Sequence, residues 1–249
     1  MDYHSEDFLV LGNTNPIKQA LRHLLTKGQY ESCGIIAFDS ARYEYKYIPL
    51  ENTNIFDKSQ FTLDPRTFNQ YYLSQRIIAL CHSHHTDSAK PSEADLEMSE
   101  SLGLPFFIIS TVNKSSYLYY PSSYIPPALS NRIFIPMFQD CMIFVKDFYE
   151  LELNIKLSKH ISNWSRSRSE SNKNLIKILN SYFVKVKDSN FKTGDIMVFR
   201  ESCSSLFHIG VVDKNSKLYH HPINCYPRLE NITPEGLNKV YNIYRYKDL

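Results

Sequence analysis

Residues Cys81 to Asp95 read CHSHHTDSAKPSEAD: three histidines in four positions, then seven residues between His84 and a Ser-x-x-Asp. The run before it, RIIALC, is apolar and β-branched, and reads as a buried strand that turns polar at its exit. Side chains two apart on a strand point to the same side, so His82 and His84 aim their imidazoles at one point while Ser83 faces away. Downstream, Pro91 and Ser92 open a helix that reaches about Leu102 and stops at Gly103. Asp95 lies in the first turn of that helix. A carboxylate there supplies a third ligand beside the two imidazoles, and catalytic zinc keeps its fourth position open for water. Ser92-x-x-Asp95 is also a capping-box pattern, which needs no metal, so both readings stand at this point.

Working outward, 249 residues with 43% hydrophobic and 22% charged side chains suit one large domain or two small ones. A formal charge of +2, scattered along the chain, implies neither a nucleic-acid nor a membrane partner. The N-terminus MDYHSEDFLVLGN begins acidic with too short an apolar piece for a signal segment, and no later run approaches a membrane span. Synthesis in the cytoplasm is expected. Five cysteines without framework spacing fit a reduced compartment in which one thiol is chemically active. Asn15-Pro16 reads as an N-cap and first helical residue ahead of IKQALRHLLTK, which Gly28 stops. SCGIIAF, YEYKYIPL and PFFIIST read as further strands around the histidine strand. From Pro121 to Pro136 four prolines fall in sixteen residues, and the domain boundary is placed there. SRSRSESNKN, from Ser165, reads as a solvated loop or helix edge.

His82-x-His84, seven residues, Ser92-x-x-Asp95, with a glutamate upstream before a small buried strand (Glu31 in YESCGII), resembles the signature of the JAMM metalloproteases. The resemblance runs over about residues 15 to 120, through Leu50-Glu51-Asn52 and the FTLDP at Phe61 to Pro65. It implies zinc on His82, His84 and Asp95, Glu31 as general base on the zinc-bound water, and Ser92 as hydrogen-bond donor to the oxyanion. The residue types suit the chemistry, since zinc lowers the pKa of its water to about 7 and polarises a carbonyl while a carboxylate shuttles the proton. His85 is assigned to solvent.

In the second half, QDCMIFVKDFYELEL places Cys141 at the start of a helix whose Ile143, Phe144, Phe148 and Leu151 recur at helical spacing. Exposed N–H groups and the dipole at a helix start favour thiolate, the nucleophilic form. FKTGDIMVFR, LFHIGVVD and KLYHHP read as successive strands that offer His208 and His220. A helix-borne Cys, a GD-containing strand, a strand-opening His and a polar residue on the next strand resemble the NlpC-type cysteine peptidases of papain-like fold, over about residues 132 to 249. The resemblance implies Cys141 as nucleophile, His208 as base and then acid, and His220 as the residue that orients the imidazole, with His221 its competitor. Met142 departs from the small residue that many wall peptidases carry after the nucleophile. Cys33, Cys81, Cys203 and Cys225 read as packing residues.

The order of the two motifs resembles the phage tail-tip assembly proteins similar to lambda's K protein. The expected fold class is therefore α+β in two domains: a JAMM-like α/β zinc domain at 1–120, a proline-rich linker at 121–131, and a papain-like NlpC-type domain at 132–249. That resemblance implies a dual peptidase made in host cytoplasm and carried at the virion tail tip. Its partners would be other tail-tip proteins and peptidoglycan peptide. Two other classes stay open: a structural tail-tip subunit with vestigial sites, and a cytoplasmic isopeptidase acting on ubiquitin-like modifiers.

Overall fold

The computed structural model describes residues 16–26, 28–39, 42, 44–54, 56–74, 77–130, 132, 134–135, 138–157, 168–187, 190–200, 207–223 and 225–248. Cys203, read above as a packing residue, and the Asn15 cap lie outside the described residues, as do Ser165 to Ser167 of the biased segment. The chain divides into two compact units, Met1–Ile125 and Pro126–Leu249.

The first unit holds a five-stranded sheet in the order β2-β1-β3-β4-β5. Its strands are β1 (Cys33–Asp39), β2 (Glu44–Leu50), β3 (Ile77–His84), β4 (Phe106–Ser110) and β5 (Ser116–Tyr119). The histidine strand β3 sits centrally, antiparallel to β1 and parallel to β4. A strand with neighbours on both edges and cover on both faces carries apolar residues at successive positions, as IIALC does. On one face α1 (Pro16–Leu24) buries Ile17, Ala20 and Leu24, and its His23 Nδ1 meets Tyr47 Oη at 2.7 Å. On the other, α2 (Pro65–Tyr72) inserts Phe68 and α3 (Glu93–Leu102) adds Met98 and Leu102 to a cluster with Ile35, Leu80 and Ile108. Helix α3 starts and stops where its sequence says: Ser92 is the N-cap of a complete capping box, and Gly103 closes it in the left-handed region at φ 65°. Helix α2 was not anticipated, although Asp64-Pro65 is itself a cap and first-turn pair, with the Asp64 side chain accepting from Arg66 N and Thr67 N.

The second unit pairs helices with a six-stranded sheet in the order β10-β9-β8-β7-β11-β6. Helices α4 (Cys141–Leu153) and α5 (Arg168–Tyr182) precede β6 (Phe183–Val186), β7 (Ile196–Arg200), β8 (Phe207–Val212), β9 (Lys217–His220) and β10 (Arg228–Asn231), then the short α6 (Pro234–Leu237) and β11 (Val240–Tyr246). Helix α4 lies against β8 and β9, and α5 against β6. Phe144, Val145, Phe148 and Tyr149 of α4 share one core with Val198, Ile209, Val211 and Tyr244. Leu151, expected on the buried face, is 41% exposed, and Leu153 is the residue of the last turn that packs against this core. The Gly-Asp pair of the FKTGDI stretch turns the chain into β7. Arg245 grips the buried Asp195 with two nitrogens, each at 2.8 Å, while the Tyr149 hydroxyl donates to Gly194 O.

The proline-rich stretch expected as a linker is shared between the units. Ser122 N and Oγ donate to Glu100 in the first, while Leu129 is buried in the core of the second. Arg132 fixes this start of the second unit: its Nη1 meets Asp147 of α4 at 2.7 Å, both side chains 2% exposed, and it also donates to Ala128 O and Pro127 O. Removing one partner of a buried ion pair strands the other, with Lys146 at 3.3 Å as the remaining cation for Asp147. Arg132→Ala is accordingly expected to destabilise the second unit by about 3 kcal/mol in denaturant unfolding, and to leave metal binding by the first unit unchanged.

Candidate active sites

In the first unit, sheet register brings distant residues to one point. Cys33 pairs with His82, so counting back along β1 sets Glu31 beside His84 on the same face. The neighbouring position closes this pairing, since Ser83 N donates to Ser32 O and Ser32 N donates to Ser83 Oγ, both at 2.9 Å. Ser83 thus faces away from the histidines into the sheet's covered side, and it is fully buried. The Glu31 carbonyl is held from its other side by Asn52 Nδ2 at 2.9 Å.

Helix α3 then delivers Asp95. Its Oδ1 lies 3.1 Å from His82 Nε2 and its Oδ2 lies 3.2 Å from His84 Nε2, while the two Nε2 atoms are 3.0 Å apart. Carboxylate Oδ2 also accepts from Ser92 N and Ser92 Oγ, each at 2.7 Å. The two readings of Ser92-x-x-Asp95 are therefore one structure: the residue that completes the capping box faces both imidazoles. Glu31, His82 and His84 place one candidate ligand atom each within 4.8 Å of one another. His82 is fully buried between the rings of Phe61 and Phe106. His85, assigned to solvent above, is half-buried, with Nδ1 3.3 Å from Thr111 Oγ1.

This donor set fits zinc. Tetrahedral ligands at the usual zinc distances sit roughly 3.3 Å apart, close to the spacing found among the two nitrogens and the carboxylate. His84 Nδ1 faces the Ser88 carbonyl at 3.2 Å, and a carbonyl only accepts, so Nδ1 carries a proton and Nε2 is the atom left to meet either Asp95 or a metal. A proton on Nε2 would bridge it to Asp95 Oδ2 at 3.2 Å, and a bound cation would take that proton's place. Burial works against the charge on Asp95, but hydrogen bonds from His82, His84 and Ser92 outweigh it and hold the carboxyl well below the usual range. Burial pushes Glu31 up to about 8, with His84 pulling the other way. His82 is pushed down by burial. His84 is raised, since Asp95 and Glu31 outweigh its own burial.

In the second unit, Cys141 is the first residue of α4, and the Asp140 N-cap accepts from Met142 N and Ile143 N, both at 3.0 Å. Cys141 is half-buried and packs at the edge of the core that α4 forms on β8. On the sheet, His208 Nε2 lies 2.8 Å from His220 Nδ1. Gly210 makes this approach possible: it stands opposite His220, and a Cβ there would come within 2.8 Å of His220 Cβ and 2.7 Å of Leu218 Cδ1. His221 has left the strand and packs between Phe134 and Phe144. Burial, then the nearby His220, His221 and Arg228, push His208 down to about 3. Met142 packs against the core, while Cys225 accepts from Arg228 and so does more than fill space.

Among the described residues no helix is long and apolar enough to cross a membrane. Comparison with known proteins matches residues 15–120 to the family of prokaryotic homologues of the JAB domain. All four converging residues of the first unit fall inside that matched segment. Over nearly its whole length the chain is similar to the tail tip assembly protein K of Escherichia phage N15, 23% identical over 246 residues that span 94% of this chain and 95% of that protein. Among solved structures, it is similar to the protein DSY2949 from Desulfitobacterium hafniense, at 23% identity over 41% of this chain and 79% of that one, with a TM-score of 0.33. A protein from Salinibacter ruber is 14% identical over 45% and 78% of the two chains, with a TM-score of 0.28.

Proposed function

We propose that this chain is a phage tail-tip protein with two hydrolytic centres, a zinc-dependent peptidase in its JAB-like first unit and an NlpC-type, papain-like cysteine peptidase in its second. The observation that carries the reading is the convergence of His82, His84 and Asp95 at ligand spacing with Glu31 beside them. Similarity over nearly the whole chain to a tail tip assembly protein supports a tail-associated role among other tail proteins, and synthesis in host cytoplasm and a place at the virion tip are part of the proposal.

In the first centre His82, His84 and Asp95 would hold the ion. A zinc ion held there would supply Lewis-acid polarisation of a peptide or isopeptide carbonyl and would lower a water's pKa to about 7. Glu31 takes the proton of the attacking water and returns it to the leaving amine, a task suited to a carboxylate whose pKa burial has raised toward neutrality. Ser92 donates its hydroxyl to Asp95 Oδ2 in this structure, and turned from that carboxylate it would be the donor for the developing oxyanion.

In the second centre, Cys141 Sγ bonds to the substrate's carbonyl carbon while its proton passes to His208. His208 returns that proton to the departing amine. Water then cleaves the thioester with His208 as base, and His220 orients the imidazole throughout. A peptide of the peptidoglycan stem or cross-bridge is the substrate that suits a tail-tip enzyme of this class.

Purified full-length chain, loaded with zinc and incubated with purified wall peptides, is expected to release new amino termini detectable by mass spectrometry. Absence of cleavage by the loaded wild type would leave the tail-tip role without its peptidase and favour the structural-subunit reading.

A further inference from the structure

Two neighbours of His220 explain more than its contact with His208. In the β9–β10 pairing Arg228 stands opposite His220, and Glu230, two residues on, projects from the same face. The ring of His220 is therefore held at both ends: Nδ1 lies 2.8 Å from His208 Nε2, and Nε2 lies 3.3 Å from Glu230 Oε1. That Nε2 atom is buried and has no aligned hydrogen-bond partner among the described residues, so the carboxylate is the polar group it faces. A neutral imidazole carries one proton, and a carboxylate can only accept.

Resting on the cysteine-peptidase reading above, we propose that Glu230 is a positioning residue of that centre. Its carboxylate draws the His220 proton to Nε2 and leaves His220 Nδ1 as an acceptor. His208 must then donate from Nε2, which leaves His208 Nδ1 with the lone pair that takes the Cys141 proton. Glu230 also sets negative charge beside Arg228, 3.6 Å from it on β10, and on the side of the relay away from His221 and its neighbour Arg132, while the other carboxylate near Cys141, Asp140, is taken up in capping α4. Burial and Arg228 push His220 down while Glu230 pushes it up, in keeping with this role.

The test is the rate at which iodoacetamide alkylates Cys141 in the full chain, read by peptide mapping between pH 5 and 9, which requires no substrate. Glu230 is 47% exposed on an edge strand, so its variants should keep the wild-type far-ultraviolet spectrum and melting temperature. Glu230→Ala is expected to slow Cys141 alkylation about tenfold at pH 6 and to shift its pH profile up by about one unit. Glu230→Gln, which keeps an acceptor oxygen but not the charge, should recover part of that loss, the share due to the hydrogen bond that fixes the tautomer. His208→Ala should reduce Cys141 to an ordinary thiol with a pKa of about 8.5. If Glu230→Ala follows the wild-type profile while His208→Ala collapses it, the role of Glu230 is overturned and the cysteine centre stands. Equal losses in the Gln and Ala variants would overturn the choice of tautomer. If wild-type Cys141 itself behaves as an ordinary thiol and ignores His208→Ala, both the centre and its positioning residue fall.

Discussion

Cys141→Ala is expected to remove wall-peptide cleavage by the second unit, a loss of at least about 10³-fold, with zinc content unchanged. His208→Ala should match it, because a nucleophile and its base act as one device, and losing either removes nearly the whole covalent pathway. The double variant should be no worse than either single one. His220→Ala should do less damage, since an orienting residue fixes the tautomer without bonding to substrate. Cys141 should also be the first thiol that a mild alkylating reagent labels: Asp140 already caps the Met142 and Ile143 N–H groups, so the anion depends on His208 as its partner, while burial pushes Cys33 up to about 12. Full hydrolysis by Cys141→Ala, or labelling of Cys225 or Cys203 ahead of Cys141, would remove the cysteine centre from the account.

The second large effect separates the two duties of Asp95. Ser92→Ala should lose the capping hydrogen bonds to the helix start, worth about 1 kcal/mol, and still bind zinc because both imidazoles and the carboxylate remain. Asp95→Ala should lose the reciprocal half of the capping box, from Ser92 N, and a ligand together. Its zinc affinity should fall by at least about 10²-fold, far beyond what cap loss explains, and metallopeptidase activity should fall with it. Glu31→Gln should give the complementary phenotype, zinc retained and hydrolysis lost, as the amide cannot take the proton. Zinc titration of the three variants checks the ordering. Equal zinc affinity in Ser92→Ala and Asp95→Ala would reduce Asp95 to a helix cap.

What the sequence disclosed follows from which contacts are local. His82 and His84 were legible because a strand's period of two is written in adjacent residues, and Asp95 because a capping box spans four. Glu31 was reached only through family resemblance. Its place beside His84 depends on the pairing of Cys33 with His82, a register across nearly fifty residues that no local pattern carries. The choice between His220 and His221 stayed open for a related reason: β9 ends at His220, so alternation does not extend to its neighbour. The start of helix α5 reads as either a solvated loop or a helix edge because its first half is the polar RSESNKN run, whose composition does not separate the two. Strand β10 is exposed along all four residues and shows no apolar alternation, which hid Glu230 entirely.

The most direct measurement of the central claim is the zinc content of the full chain after loading and exhaustive dialysis. About one zinc per wild-type chain is expected, with none retained at stoichiometry by His84→Ala or Asp95→Ala and the wild-type amount kept by Cys141→Ala. A wild-type chain that holds no stoichiometric zinc, or a His84→Ala chain that holds as much as wild type, would contradict it.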